Sequence, residues 1–232
     1  MSVMRALHIR MEGYTASFRH PLVLSGTQLS TPMPAYSNVL GMISACAGRV
    51  VNHNETRVGF EFHCQCRDLE LERTVRWQMD KQGRLKPHSK GQGLSFRQVY
   101  WQPRLDLYVE NLDLRSAFER PIATPRFGRS QDIAWIRWCR DVELQPVESG
   151  ALGPTLLPYP QAGVAGVIVR LPEWFRNDVL GQPRRPGPFG HYQAVPPTVG
   201  EMRFEVERGD LFHSSDAERE NHVVYLHRWL TE

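Results

Sequence analysis

Residues 7 to 48 read LHIRMEGYTASFRHPLVLSGTQLSTPMPAYSNVLGMISACAG. Leu7, Ile9 and Met11 alternate with His8 and Arg10, the period of a half-buried strand. Val39, Ile43 and Ala47 recur on one face of a helix that Ser37 is placed to cap and Gly48 to end. Between strand and helix runs a long loop holding Arg19, Thr31, Pro32, Pro34 and Tyr36, with almost no acid. A loop of that length inside a compact domain is functional more often than idle.

Working outward, Val58, Phe60, Phe62, Cys64 and Cys66 alternate with Gly59, Glu61, His63 and Gln65 and predict a second strand. Leu105, Leu107 and Val109 predict a third. Residues 113–120 read as a short helix halted by Pro121, and Ala134, Ile136, Trp138, Val142 and Leu144 mark a fourth strand. The order is β-α-β-β-α-β, so the expected class is α+β, with a ferredoxin-like (RRM-like) domain over residues 1–145. That scaffold serves RNA-recognition domains and metabolite binders alike and does not decide function. Residues 146–232 read differently. An apolar strand pattern covers 163–171, a Pro- and Gly-rich loop or arm 181–200, and late strands 203–206 and 222–229. They predict a smaller β-rich C-terminal subdomain.

The 232 residues hold 28 Lys or Arg and 25 Asp or Glu, for a net charge of +3. Residues 73–104 contain eight of the basic residues and one acid, Asp80, which leaves 20 basic against 24 acidic elsewhere. The basicity therefore sits in one insertion between the second and third strands. Gln82-Gly83 and the run from Lys86 through Pro87, His88, Ser89 and Lys90 to Gly91 are turn chemistry, and Trp77, Phe96, Tyr100 and Trp101 flank them. A ribbon with cations on flexible stems and aromatic faces nearby suits a single-stranded nucleic acid. A plain solvated hairpin is the alternative. No apolar run is long enough to span a bilayer, and Ser2, Val3, Met4 and Arg5 do not open a signal peptide. Cys46, Cys64, Cys66 and Cys139 form neither a disulfide framework nor a zinc spacing. Cys64 and Cys66, both on one strand face, read as small buried hydrophobes. The expected compartment is a reducing cytoplasm, with no membrane contact, no metal and no cofactor.

The block Gly13, Ala16-Ser17-Phe18-Arg19, Thr31-Pro32, Pro34, Ser37 and Gly41-Met42, with the later Phe127-Gly128-Arg129-Ser130-Gln131-Asp132, resembles the CRISPR-associated Cas-five family. These are RAMP subunits of type I Cascade complexes, and type I-B is the nearest subtype. The resemblance covers roughly residues 1–145. It implies a non-catalytic subunit that binds the 5′ handle of a CRISPR RNA, joins the backbone RAMP subunit to the large subunit, and meets target DNA through the complex. Arg19 matches the arginine of the amino-terminal loop, and Tyr36-Ser37 the cap of the first helix, whose amino end would favour a phosphate. Arg126 and Arg129 flank the second motif, where either could fork onto a phosphate or a guanine edge. Arg84, Lys86 and Lys90 match the family's thumb hairpin in position. The alternatives are a salt bridge from Arg129 to Asp132 and packing of Tyr36 against its own helix.

One branch of that family cleaves precursor RNA without metal, using a tyrosine, a lysine and a histidine. Tyr36, Lys86 and His88 have the right types for a base and a cation at a phosphorane, but a hairpin tip lacks the rigid neighbours that tune a pKa. The endoribonuclease therefore ranks second. A ferredoxin-like metabolite-binding protein ranks third, because the chain lacks a Gly-rich phosphate loop after a strand.

Overall fold

A computed structural model describes residues 3–20, 27–176, 184–197 and 202–230. β1 (Met4–Gly13) buries Leu7, Ile9 and Met11 completely on one face, and the alternation sends His8, Arg10 and Glu12 to the other. β2 (Thr15–Ala16) follows. α1 (Tyr36–Ala47) packs on the apolar face of β1 through Val39, Met42, Ile43 and Cys46, and Gly48 ends it in the left-handed region at φ 67°. Its start corrects the predicted cap. Ala35 occupies the N-cap, and its amide donates to Asn38 Oδ1 at 3.0 Å. Ser37 already lies within the first turn, two positions past the N-cap.

β3 (Val58–His63) is shorter than its sequence pattern, because the chain changes sheets at Cys64. Cys64 is buried, whereas Cys66 is exposed and opens the next element, so the two thiols do not share a buried face. β4 (Cys66–Met79) and β5 (Leu85–Trp101) form a long hairpin, and β6 (Arg104–Val109) returns the chain to the main sheet. The hairpin thus begins earlier than the predicted insertion at 73. α2 (Arg115–Glu119) adds Phe118 to the core beneath α1, and β7 (Ala134–Leu152) follows. Leaving the hairpin aside, the elements from β1 to β7 run β-α-β-β-α-β, and the strands lie side by side as β7-β1-β6-β3, all antiparallel.

A bulge divides β7. Arg10 pairs with Trp138 but Met11 with Ile136, so Arg137 is extra and the side chains on either side of it swap faces. Ala134 and Ile136 consequently join the core under the helices, while Val142 and Leu144 join a second apolar cluster on the opposite face. An apolar alternation that only Arg140 interrupts in the sequence serves two cores.

The remaining strands are β8 (Leu156–Pro158), β9 (Val167–Pro172), β10 (Phe175–Arg176), β11 (Arg185–Pro186), β12 (Phe189–Ala194), β13 (Phe204–Ser214) and β14 (His222–Tyr225). β8, β12 and β9 form a small sheet whose Leu156, Leu171 and Tyr192 enter the main core. β13 and β14 extend the main sheet beyond β7. The predicted division at residue 145 therefore falls inside β7, and the C-terminal strands share a sheet and a core with the first half. Of the predicted 181–200 arm, residues 181–183 and 198–200 lie outside the described residues, and the span between contains β11 and β12. No helix among the described residues is long and apolar enough to cross a membrane.

Candidate nucleic-acid interface

The hairpin pairs from Cys66–Trp101 at its root to Met79–Leu85 at its tip. The tip is an aspartate turn: Asp80 Oδ1 accepts from the amides of Gln82 and Arg84 at 2.9 and 2.8 Å, and Gly83 takes φ 75°. The hydrogen bond from the Arg84 amide leads in holding the Asp80 carboxyl below its ordinary range. Cross-strand partners share a face, so Leu71 with Phe96, and Val75, Trp77 and Met79 along β4, build one apolar side that is exposed to solvent. The other side is polar, with Glu70 opposite Arg97. Charge also divides along the length. Asp68, Glu70 and Glu72 lie near the root, whereas Arg73, Arg76, Lys81, Arg84, Lys86 and Lys90 occupy the outer part, all exposed. A bulge opposite Arg76 leaves residues 88–91 without partners on β4, and Gly91 turns there at φ 60°.

The two motifs that lie far apart in the sequence meet at the root. The Ser17 amide donates to the Phe127 carbonyl at 2.9 Å, and Phe18 sets its ring edge-on to Phe62 and Phe127. Gly128, at φ 120°, passes so close that a Cβ would lie 2.1 Å from the Ser17 carbonyl oxygen. The Thr31 amide donates to the Phe18 carbonyl at 2.7 Å, Tyr100 Oη donates to the Thr31 carbonyl at 3.0 Å, and the Gln28 amide reaches the Phe96 carbonyl at 2.6 Å. The amino-terminal loop is thereby sewn onto the hairpin.

Arg129 locks this junction. Its Nε and Nη2 donate to Asp132 at 3.0 and 2.9 Å, and its Nη1 to Glu70 at 3.0 Å. Asp132 is fully buried and also accepts from the Thr15 hydroxyl at 2.6 Å. Burial works against the Arg129 charge, but the carboxylates of Asp132 and Glu70 outweigh it and raise the guanidinium pKa. The fork is spent on internal carboxylates, so Arg129 is not available to a phosphate. This is the salt-bridge alternative.

The other site residues fall into two groups. Arg19 and Arg126 are exposed at the junction, and neither side chain has a hydrogen bond or ion pair among the described residues. Lys86 and Lys90 are exposed on the hairpin, and Arg84 beside them is tied to Asp80 at 3.1 Å. Tyr36, by contrast, is 1% exposed, stacked on His227 at 3.8 Å, with its hydroxyl donating to the Leu156 carbonyl at 2.7 Å. Its ring cannot face a nucleotide, which corrects its assignment to the RNA surface. Burial, foremost, pushes its phenol well above the ordinary value, so it is no base either. Ser37 is half-buried in the first turn of α1. Sequence reading missed Arg67 as an exposed cation at the root and Glu70 as the partner of Arg129. The alternating acids Asp68, Glu70 and Glu72 were the available signal for the second.

No protein-family model and no curated protein matches the sequence. Among solved structures the chain is similar to one from a "CRISPR RNA-guided surveillance complex", 15% identical, with a TM-score of 0.54 over 85% of this chain and 91% of that one. It also resembles a CRISPR protein from Archaeoglobus fulgidus, 11% identical, with a TM-score of 0.49 over 95% of this chain and 98% of that one. A chain of a type III-B Cmr-beta complex bound to cognate target RNA is 12% identical, with a TM-score of 0.45 over 88% and 86%. The first likeness establishes a shared fold alone, and the other two superpose too loosely to carry an argument.

Proposed function

We propose that this chain is a non-catalytic, cytoplasmic RNA-binding subunit of a CRISPR effector ribonucleoprotein, of the Cas-five type and nearest to type I-B. In this reading β1 to β7 form the ferredoxin-like RAMP domain and the β4–β5 hairpin is its thumb. The junction under the hairpin holds the 5′ handle of the CRISPR RNA, with Arg19 and Arg126 as its free cations. The subunit links the backbone RAMP subunit to the large subunit and meets target DNA through the complex. The observation that carries the reading is the hairpin itself, cationic on its outer part, with Trp77 and Phe96 exposed along one side, and rooted where the two motifs join. The shared fold with a chain of a CRISPR RNA-guided surveillance complex supports it. Against the nuclease stands the burial of Tyr36, which keeps it apart from the exposed Lys86 and the half-buried His88 on the hairpin.

Binding of repeat-derived RNA across a salt series tests the proposal. Replacing Arg84, Lys86 and Lys90 together by Ala removes about three phosphate contacts, each worth about 0.7 in the log–log salt slope of a single strand. The slope should become shallower by roughly 2, with sequence preference unmoved, because phosphate contacts position without specifying. The RNA should leave the assay intact. An unchanged slope returns the hairpin to the solvated alternative, and specific cleavage that His88→Ala abolishes promotes the nuclease.

A further inference from the structure

The face of the main sheet turned away from α1 is only partly covered. One part carries the second apolar cluster, with Tyr108, Val142, Leu144, Phe212 and Val224. Beside it opens a cleft of about 680 Å³ that runs from His8 and Asp106 to Gln65 and Gln102 at the hairpin root. That volume suits a nucleotide-sized ligand.

Four features of its wall bear on what fits. Tyr14 is 76% exposed and meets the half-buried Trp135 edge-on, with ring centroids 5.1 Å apart, so an aromatic surface stands at the mouth. Arg104 lies 3.1 Å from Asp106 with 42% of its side chain exposed, yet its Nε is buried and completes no hydrogen bond among the described residues. His8 is 5% exposed and bonded through Nδ1 to Asp216 at 2.7 Å. Its Nε2 lies 3.4 Å from Asp106 and likewise completes no hydrogen bond. Gln102, whose amide donates to the Tyr14 carbonyl at 2.9 Å, is the one residue other than glycine with positive φ among the described residues, at 48°. Such conformations gather at binding sites. The acids of the cleft are largely engaged: Asp106 with Arg10, Glu61 with Arg203, Glu12 with Arg137. Part of Arg104 remains open to an oxyanion.

We propose that this cleft is a subsite for one nucleotide of a bound single strand, its base laid against Tyr14 and Trp135 and its phosphate on Arg104. The mouth is continuous with the hairpin, since Thr15 and Ala16 pair with Trp101 and Tyr100. A strand leaving the hairpin root therefore passes Tyr14 next. The strand's identity as RNA rests on the function proposed above, whereas the subsite is tested with free nucleotides. Uridine and adenosine 5′-monophosphates are titrated into the full chain and followed by saturation-transfer NMR.

Wild type should bind both weakly. Tyr14→Ala and Arg104→Ala should each weaken binding about fivefold or more, within the range of one lost stacking or phosphate contact. Arg104→Lys, which keeps the charge and guards against a folding defect, should fall between, and Arg120→Ala, at an exposed arginine just after α2 and outside both hairpin and cleft, should leave it unchanged. No transfer from wild type, or transfer indifferent to both cleft variants, overturns the subsite. Full competition by inorganic phosphate, with no signal from the free nucleosides, reduces it to an anion hole and overturns it too. Nucleotide binding that depends on Tyr14 and Arg104 in a chain that captures no RNA would keep the subsite and overturn the handle-binding function instead.

Discussion

Arg126 and Arg129 stand three positions apart and put one side-chain type to opposite uses. Arg129 is turned inward onto Asp132 and Glu70, and removing it leaves Asp132, fully buried, without its counter-charge. Breaking a buried pair in this way costs about 3–5 kcal/mol. Arg126 is exposed, where substitutions stay within about 0.5 kcal/mol. Arg129→Ala should therefore lower the denaturation midpoint sharply. Arg126→Ala should leave it in place while weakening RNA capture about ten- to hundredfold, the worth of a charged hydrogen bond to phosphate. Urea melts beside binding curves separate the two, and a fully stable Arg129→Ala variant would remove its role as a lock. Half of this was legible: Asp132 follows Arg129 at short range, but Glu70 lies far back in the chain and reaches it only through the register of the hairpin root. Tyr36 was illegible for a similar reason. The His227 ring that stacks on it comes from the far end of the described chain, and no local pattern announces such a partner.

At the scale of elements, the hairpin is the part that the molecule can lose. Its core contribution stops at Val99 and Tyr100 near the root, and everything outward of Thr74 and Gly93 is exposed or half-buried. Thr74 and Gly93 face each other across the ladder, so a two-residue Asn-Gly turn can join them without disturbing the register below. That shortened chain discards Arg76, Lys81, Arg84, Lys86 and Lys90 together. Its thermal midpoint should move by less than about 3 °C, which is under roughly 1 kcal/mol for a protein of this size, while RNA affinity at low salt collapses. A larger drop in midpoint would mean that the outer hairpin docks on the body. The hairpin's existence was readable from the turn residues around Gln82-Gly83, but its root was not. Alternation runs unbroken from Val58 to Cys66 although the chain leaves one sheet for another between His63 and Cys66. Period-two patterning reports which face a residue takes, not which sheet it belongs to. The bulge at Arg137 hides in the same way, because Ala134, Ile136 and Trp138 keep one apolar phase straight across it.

For the whole molecule the decisive fact is that β7 does not stop where the composition changes. It runs on through Pro146 to Leu152, with β13 and β14 completing the sheet beside it. The C-terminal segment also returns to the first half through hydrogen bonds to its backbone carbonyls. The His227 amide donates to the Val58 carbonyl at 2.8 Å, and Trp229 Nε1 donates to the Thr56 carbonyl at 2.8 Å. Leu152, Leu156, Leu157, Leu171, Tyr192, Leu211 and Tyr225 all lie in the main core. Burying an aliphatic or aromatic side chain of this kind contributes about 1.5–3 kcal/mol, so losing seven, roughly 10–20 kcal/mol, is as large as the whole margin of roughly 5–15 kcal/mol by which a domain is stable. A chain ending at residue 145 should thus show no cooperative thermal transition, whereas the full chain should melt in a single one, with far- and near-ultraviolet circular dichroism coincident. Two separate transitions in the full chain, or a cooperative melt of residues 1–145 alone, would restore the boundary that the sequence pattern places there. A single transition would mean that the hairpin root, the cleft and the C-terminal strands stand or fall together.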